Sequence, residues 1–408
     1  MVLTLMTVAA ALANPVTGAR AEPAPVVVLD AALRPTIGDL VSLKGDVATL
    51  RVAGKDVAVE RPVAVVSTTS WGPDRDWPGI PKDAPLEGPG MAVELTDGTR
   101  LRGDLLPGKG DGLVLVHRQL GKVEFPLDSL VALGVHGQWS DGQRRRGDQV
   151  QLANGDRLDG FIESIAAKQG TGLAVTIERS GDKSKTTVPL ERVSSLALGG
   201  GAATKPGTLV WLAGGERATA VEYSIDKREA RLVRAKGALA ARLDAARVEA
   251  TLLAPASVTP LASCALKSGA VDPGPEQPLG TRDLTIPEPG EARWVLPAGA
   301  ARISGWAVLP EECRRWGDCT VIITVVAGPQ VAPRQLASFT LSGGHAVVAI
   351  DADLPASKEP ATLLVTVAEG RNGPVQDRVV LRRMLVGFEN AGERAPPAGA
   401  PAPPATAP

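Results

Sequence analysis

The chain has few aromatic side chains and few reactive ones. Its 408 residues include one Tyr, four Phe, seven Trp, three His and three Cys. Three separated His and three Cys do not supply the four closely spaced ligands of a structural zinc site. The serine-hydrolase and metallohydrolase signatures Gly-x-Ser-x-Gly and His-Glu-x-x-His are also missing. We therefore expect no enzyme activity, no metal and no other cofactor, and hydrophobic cores built from Val, Leu, Ile and Ala.

Charge of one sign and long apolar runs are missing as well. The sequence has 44 basic and 45 acidic residues, and its basic residues cluster only at 144–146. A nucleic-acid-binding surface normally combines a basic stripe with interleaved aromatics, so we expect no nucleic-acid partner. No run approaches the roughly 20 apolar residues of a membrane-spanning helix, so we expect no transmembrane segment.

The first residues have the composition of an export signal. An apolar run covers 2–13, and small residues at Ala19 and Ala21 flank Arg20 where cleavage would occur. This pattern predicts a signal peptide over 1–21 and an exported protein, periplasmic or extracellular. No Lys or Arg precedes the apolar run, which leaves two alternatives: the true start lies upstream, or the segment is only a mobile N-terminus. No Cys follows the apolar run, so a lipid anchor has no attachment site there.

One β motif occurs twice in nearly the same form. The segments are Val93-Glu-Leu-Thr-Asp-Gly-Thr-Arg-Leu-Arg-Gly103 and Val150-Gln-Leu-Ala-Asn-Gly-Asp-Arg-Leu-Asp-Gly160. Apolar residues alternate with polar ones, which is the period of a strand with one buried face. Between the two strands, Asp97-Gly98 and its counterpart predict a type I′ hairpin turn. Leu95, Leu152 and, in a later copy of the motif, Leu212 are predicted to be buried.

The motif also marks a tandem array. The turn glycines Gly98, Gly155 and Gly215 lie 57 and 60 residues apart. With an incomplete copy ahead of them, this spacing predicts a tandem array of four small β units, in which the segments around the three glycines belong to separate small barrels of the Sm or SH3 kind. The predicted units are an incomplete repeat over 37–67, repeats over 90–135 and 147–199, and an eroded repeat over 205–253. Helix propensity is strong in 227–253, but the repeat predicts strands there, with a helical turn around 244–247.

Irregular segments separate these regions. Residues 68–89 are rich in Pro, Gly and Asp and form a predicted loop containing Trp71 and Trp77. The two indoles are either a stacking platform for a sugar ring or a cap on a neighbouring module. Residues 254–291 hold seven of the 34 prolines and are predicted to be a connector. The Ala- and Pro-rich segment 389–408 cannot form a core and predicts a disordered tail.

The pattern of residues 292–388 predicts an antiparallel β-sandwich. Seven short apolar runs rich in β-branched residues are separated by Gly, Pro, Asp and Asn. They cover 293–296, 301–309, 320–327, 337–341, 346–354, 362–368 and 378–386. Trp294 and Trp306 lie within these runs, and we expect both to pack in the core.

Two cysteines flank a short polar turn. Cys313 and Cys319 are separated by Arg314-Arg-Trp-Gly-Asp318, which is short enough to bring two sulfur atoms together. An exported protein favours pairing, so we predict a Cys313–Cys319 disulfide. Cys264 is then left over, either free or joined to another chain.

Four segments of the C-terminal region form a characteristic series of strands: Arg293-Trp-Val-Leu-Pro297, Ile303-Ser-Gly-Trp-Ala-Val308, Thr320-Val-Ile-Ile-Thr-Val325 and Asp377-Arg-Val-Val-Leu381. In these segments the region resembles the NPCBM family of carbohydrate-binding modules. The resemblance implies a galactose-binding-like β-sandwich that binds carbohydrate, following repeats of the kind described above. It leaves two classes of function open. One is non-catalytic binding of a polysaccharide or cell-surface polymer, and the other is a structural or protein-interaction scaffold of the cell envelope.

Only one tryptophan of the predicted sandwich lies in a polar loop. Trp316 has no apolar neighbours in Arg314-Arg-Trp-Gly-Asp318 against which it could be buried. An aromatic plane beside groups that hydrogen-bond to hydroxyls is the usual composition of a sugar contact. Trp316 with Arg315 and Asp318 is therefore the predicted ligand-binding set.

Overall fold

The computed structural model describes residues 25–73, 90–135, 147–168, 172–181, 183–199, 207–234, 241–328 and 331–388. The predicted signal peptide and the predicted tail therefore lie outside the described residues. Throughout the described ranges the chain is built from antiparallel strands joined by turns and short 3-10 segments. No helix there has the length and apolar character needed to cross a membrane.

The first 21 strands form four successive units. The first unit contains β1 Val26–Leu29, β2 Pro35–Lys44, β3 Val47–Val52, β4 Lys55–Glu60 and β5 Ala64–Ser67. The second contains β6 Met91–Leu95, β7 Arg100–Pro107, β8 Gly112–His117, β9 Gly121–Pro126 and β10 Leu130–Gly134. The third contains β11 Asp148–Leu152, β12 Arg157–Lys168, β13 Gly172–Arg179, β14 Lys185–Pro189 and β15 Val193–Ala197. The fourth contains β16 Thr208–Leu212, β17 Glu216–Ala220, β18 Glu222–Asp226, β19 Glu229–Val233, β20 Ala241–Asp244 and β21 Val248–Leu252.

All four units share one pairing pattern. The first strand of each unit pairs with both the second and the last strand of that unit. The first unit is therefore complete and begins at Val26, so the prediction of an incomplete repeat from residue 37 was wrong. Its β1–β2 connection has Leu33 at a φ of 59°. Because the turn uses a leucine in the left-handed region, it has no Gly or Asn signal for sequence reasoning to find.

The repeated hairpin turn differs from the predicted type I′ turn. Gly98 and Gly155 have φ values of 86° and 94°, while Asp97 and Asn154 do not have positive φ. The Gly98 amide donates to the carbonyl of Leu95, and the Leu95 amide donates to the carbonyl of Thr99, at 2.9 Å each. This is the three-residue loop in which only the glycine is left-handed. Of the three leucines predicted to be buried beside the turns, Leu95 and Leu212 are buried and Leu152 is only half-buried.

The units are not the separate barrels that were predicted. The last strand of the second unit, β10, pairs with the last strand of the third, β15. In the same way β5 of the first unit pairs with β21 of the fourth. The last strand of one unit thus continues the sheet of another, which removes an exposed strand edge from each.

The helix-prone stretch of the fourth unit is β-structured, as the repeat predicted. Residues 229–233, 241–244 and 248–252 are strands, and Ala245–Arg247 forms one 3-10 turn. The Asp244 side chain accepts a hydrogen bond from the Ala246 amide at 3.0 Å and so caps this turn. Equivalent 3-10 segments, Leu127–Ser129 and Leu190–Arg192, precede the closing strands of the second and third units.

The described residues between 258 and 388 form a two-sheet sandwich. Its strands are β22 Val258–Pro260, β23 Ala265–Ser268, β24 Asp272–Pro273, β25 Leu284–Ile286, β26 Gly290–Leu296, β27 Ala300–Val308, β28 Asp318–Val326, β29 Arg334–Ser342, β30 Val347–Asp353, β31 Ala361–Glu369 and β32 Val379–Phe388. One sheet has the order β24-β25-β32-β27-β30, with β22 also on β32, and the other has the order β23-β26-β31-β28-β29. The 3-10 segments here are Leu261–Ser263, Pro278–Gly280 and Glu311–Cys313. All seven predicted strands are present.

The predicted connector belongs to this sandwich. Strands β22 and β25 pair with β32, and β23 pairs with β26. The prediction that 254–291 only links two regions was therefore wrong. These added strands have two to four residues each, too few to show a two-residue period between prolines.

The sandwich core lies between the two sheets. Val321, Ile323 and Val325 of β28 alternate with more exposed residues and are fully buried against the facing sheet. Trp294 is 2% exposed and packs in this core as expected. Trp306 does not, so that prediction was wrong. It lies on the opposite face of β27 from the buried Ile303 and Ala307 and is half-buried.

The sandwich packs directly against the units. A second apolar cluster joins Val27, Leu29 and Trp211 of the units to Leu279 and Leu385 of the sandwich. Polar contacts reinforce this junction. The two carboxylate oxygens of Glu276 accept from Arg100 Nη1 at 2.8 Å and from Arg217 Nη1 at 2.7 Å.

Candidate functional site

The candidate site lies on the turn between β27 and β28, and backbone contacts hold that turn. The carbonyl of Cys313 accepts hydrogen bonds from the amides of Trp316 and Gly317, at 3.3 and 2.7 Å. A Cβ at Gly317 would lie 2.6 Å from the carbonyl oxygen of Gln376. Only glycine allows this approach of the neighbouring loop. The Trp316 backbone is therefore fixed before any ligand arrives.

The predicted disulfide across this turn is absent. Cys313, Cys319 and also Cys264 are free and buried. Burial raises the pKa of the Cys319 thiol to about 12 and that of Cys264 to about 11, so both remain protonated at neutral pH. The turn is held by its own backbone hydrogen bonds instead of a covalent link. The two thiols then serve as small apolar groups of the sandwich core.

Trp316 is exposed on the turn. Its residue surface is 51% exposed, which is unusual for so large an apolar side chain. The Arg315 guanidinium carbon lies 5.3 Å from the centre of the indole ring, a cation–π distance. From the neighbouring loop, Asn372 Nδ2 donates to the Trp316 carbonyl at 3.0 Å. The structure thus brings two of the three predicted site residues into contact.

The third predicted residue, Asp318, already has a charged partner. Its Oδ2 lies 3.8 Å from Arg371 Nε, and its side chain is 18% exposed while that of Arg371 is 95% exposed. This is a loose ion pair at the surface, and such pairs contribute little to stability. A ligand hydroxyl could therefore replace Arg371 at small cost. Sequence reasoning missed Arg371 and Asn372, although Asn372-Gly373 is a turn signal.

Asp377 holds the turn before β28 and the loop after β31 together. Sequence reasoning did not identify this structural role. Asp377 is 1% exposed. Its Oδ1 accepts from the Asp318 amide at 2.9 Å, and its Oδ2 accepts from the Gly370 amide at 3.4 Å. A buried carboxylate needs such donors, because an unpaired one is costly to desolvate. Asp377 therefore fixes the start of β28 relative to the end of β31.

The other tryptophans do not form a sugar platform in the described residues. Trp71 lies edge-on to Trp306, with ring centres 5.1 Å apart and planes at 71°. Arg382 Nη1 donates to the nearby carbonyl of Pro73 at 2.6 Å. Trp71 therefore packs against Trp306 on the outer face of the sandwich. Trp77 lies outside the described residues, so the two interpretations of the Trp71 and Trp77 pair stay predictions.

A buried hydrogen-bonded pair, His117 and Glu216, connects the second and fourth units. Amides of Gln119 and Leu120 donate to His117 Nδ1, so this nitrogen is the acceptor and Nε2 carries the proton. Nε2 then donates to Glu216 at 3.0 Å, and the same carboxylate accepts from the Arg102 amide at 2.8 Å. These hydrogen bonds of His117 and Glu216 are all made within the protein, and the pair joins β8 to β17. In the described ranges no cluster of three or more His, Cys, Asp or Glu could hold a metal ion.

Comparisons with known proteins give structural neighbours alone. No family model matches the chain, and no curated protein matches it. A solved structure of CBM51 from Clostridium perfringens GH95 with methyl-galactose is 10% identical at a TM-score of 0.25, covering 32% of this chain and 99% of that one. TmCBM61 with β-1,4-galactotriose is 13% identical at a TM-score of 0.22, covering 32% and 91%. Both are carbohydrate-binding modules, but at these TM-scores the likeness carries no functional argument.

Proposed function

We propose that the chain is a non-catalytic carbohydrate-binding protein whose ligand contacts Trp316, Arg315 and Asp318. The observation that carries this proposal is the half-exposed indole of Trp316 on a turn fixed by Gly317 and Asp377. An exposed aromatic on a rigid support is suited to binding because little entropy is lost when a ligand docks.

Each residue has a separate role in the proposed contact. The apolar C–H face of a sugar ring stacks on the indole of Trp316. Arg315, already beside the ring, donates hydrogen bonds to ligand oxygens. Asp318 accepts from a sugar hydroxyl when Arg371 moves away. Trp316 is half-exposed at the surface, so we propose binding to part of a longer polysaccharide, such as a cell-surface polymer.

Three finer assignments belong to the same proposal. The sandwich is proposed to be of the NPCBM type, on the sequence pattern of β26, β27, β28 and β32. The four units are proposed to be Sm- or SH3-like barrels, supported by pairing of the first strand with the last in each. The protein is proposed to be exported, on the composition of residues 1–21.

The direct test is a glycan array probed with the full chain. The proposal predicts retention on a subset of glycans, with competition by the free sugar of that subset. Absence of retention on every glycan would reject sugar binding. If the chain binds no glycan but captures envelope protein in a parallel pull-down, the scaffold function is favoured.

A further inference from the structure

One outer face of the sandwich has no charged side chain at its centre. It belongs to the sheet β23-β26-β31-β28-β29. In β28 and β31 buried residues alternate with more exposed ones, and the two strands pair in unbroken register from Cys319 to Val326. Because the side chains of a strand point alternately to its two faces, the more exposed residues lie on the outer face. They are Thr320, Ile322, Thr324 and Val326 on β28 and Thr362, Leu364, Thr366 and Ala368 on β31.

The edge strand β29 extends this face. Ser338 pairs with Ile322, and Thr340 pairs with Thr320. Directly opposed residues share a face of the sheet, so both side chains lie on the outer side, and both are exposed. These two residues and the eight on β28 and β31 are called the threonine face below. All ten carry either a hydroxyl group or an aliphatic side chain.

The composition of the threonine face is typical of a surface that is covered. Charged residues make up 22% of the chain, and a solvated sheet face normally carries them. The outer face of the other sheet follows this rule, since Arg302 there pairs with Asp351 and Asp353. Depletion of charge at the centre of a patch is the compositional mark of a protein–protein interface. The threonine face therefore has the character of an interface.

Charges at the margin of the threonine face are paired within the chain. Arg293 Nη2 lies 2.8 Å from Glu291 Oε2 on β26, and Arg371 Nε lies 3.8 Å from Asp318 Oδ2 at the start of β28. Two copies of the face can therefore meet without bringing unpaired like charges together. The ten side chains include no aromatic ring on which a sugar could stack. The partner that fits is a second copy of this chain rather than a polysaccharide.

The sheet is large enough for a dimer interface. Five strands at a spacing of about 4.8 Å are about 19 Å across, and a nine-residue strand such as β28 is about 30 Å long. These dimensions give roughly 500 Å² of flat face per copy after allowing for the shorter outer strands, or about 1,000 Å² for two copies. A specific interface buries at least about 1,000 Å² in total. The area is therefore at the small end of the range for a dimer.

We propose that two copies of this chain associate through their threonine faces, with the two sheets stacked about a two-fold axis. In such a contact the same patch lies on both copies, so each copy covers the uncharged face of the other. Stacked sheets lie about 10 Å apart, with interdigitating side chains. The Trp316 turn precedes β28 and contributes none of the ten residues, so the association does not depend on sugar binding.

The test is sedimentation velocity on the full chain at a series of concentrations from micromolar to submillimolar. We expect a two-chain species at the upper concentrations that dissociates to single chains on dilution, because an interface at the small end of the size range is weak. A wild type that stays a single chain at every concentration would overturn the proposal. That result would mean that another segment of the chain, or nothing, covers the face.

Two charged variants locate the contact. Ile322 and Thr366 are cross-strand neighbours at the centre of the face, and Ile322→Lys and Thr366→Lys each place a positive charge there on both copies. We expect each substitution to raise the dimer dissociation constant at least about tenfold. The matched control is Ala349→Lys, on the outer face of the other sheet beside Trp306, which should leave association unchanged.

Urea denaturation of the three variants checks that the fold is retained. None of the three side chains belongs to the buried core, so we expect midpoints close to that of the wild type. Two positions on two different strands keep the test decisive if one variant folds poorly. Association that survives both Ile322→Lys and Thr366→Lys, or that is lost equally in Ala349→Lys, would contradict the assignment.

Discussion

Removing the Asp377 carboxylate should destabilise the sandwich and uncouple the two loops of the candidate site. In Asp377→Ala the amides of Asp318 and Gly370 lose the acceptor that they share in a buried position. A hydrogen bond to a charged group contributes about 1.5–3 kcal/mol, and each abandoned amide adds a desolvation cost. The hydrogen bond from the Gly370 amide is long, at 3.4 Å, so we assign it the lower end of this energy range. We expect a loss of about 4 kcal/mol in the free energy of unfolding.

Two assays follow this effect. Urea denaturation of the full chain gives the free energy, and hydrogen exchange reports on the individual amides of Asp318 and Gly370. Both amides should lose protection in Asp377→Ala. Asp377→Asn retains one acceptor oxygen but turns an NH₂ group towards the other amide, so a smaller loss of about 2 kcal/mol is expected.

The matched control is Glu312→Ala in the same loop region. Glu312 pairs with Arg378 at 3.1 Å, and its side chain is 64% exposed. An exposed ion pair contributes at most about 1 kcal/mol, so this variant should stay close to the wild type. If Asp377→Ala lost no more stability than Glu312→Ala, or if the two amides stayed protected, the pinning role of Asp377 would be refuted.

Three further predictions concern the four units. Glu276→Gln should lower the free energy of unfolding in urea by about 1–3 kcal/mol, because it weakens the ion pairs with Arg100 and Arg217. An unchanged urea midpoint would contradict that role. Glu249 has its pKa raised by burial from 4.5 to about 7, so stability is full below about pH 4.5 and falls as pH rises through 7. After discounting for partial exposure, the expected loss is about 2 kcal/mol, absent in Glu249→Gln. Gly155→Val should lower the free energy of unfolding by more than about 1 kcal/mol, and Gly155→Asn by much less. No atom lies within 4 Å of the added Cβ, so the cost comes from the φ of 94°, which strains a β-branched residue. Equal urea midpoints for the two variants would refute this.

Local patterns in the sequence predicted most strands, because period and turn residues act over a few positions. The seven runs of the sandwich and the hairpins around Gly98 and Gly155 are all present. Pairing between units could not be predicted in this way. The contact of β10 with β15 joins residues more than sixty positions apart, and nothing in either strand alone specifies its partner.

Alternation along the sequence is ambiguous at Trp306. Counting from Ile303 places Trp306 on the outer face of β27, whereas counting from Val308 places it on the inner face, and both of these residues are buried. In the structure the alternation from Ile303 holds, because Ile303, Gly305 and Ala307 share the buried face. The register shift beside Trp306 comes from an extra residue in β32, where Arg383 has a φ of 49°.

Part of the candidate site could be predicted from the sequence. Trp316 is exposed because its neighbours in the turn are polar, and that is visible locally. The residues that hold the Trp316 turn in place are distant from it in the sequence. Asn372 and Asp377 come from a loop more than fifty residues later, and the loops meet only because β28 pairs with β31. The two cysteines could have bridged the turn by spacing alone, yet backbone hydrogen bonds close it without a covalent link.

The measurement that tests the central claim most directly compares Trp316→Ala with the wild type on a glycan that the wild type retains. We expect retention to be lost while the free energy of unfolding stays within about 1 kcal/mol, because the indole is half-exposed. Phe161→Ala is the control, since Phe161 is an aromatic of the third unit with 65% exposure. It should leave retention intact. Retention unchanged in Trp316→Ala, or lost equally in Phe161→Ala, would contradict sugar binding at this turn.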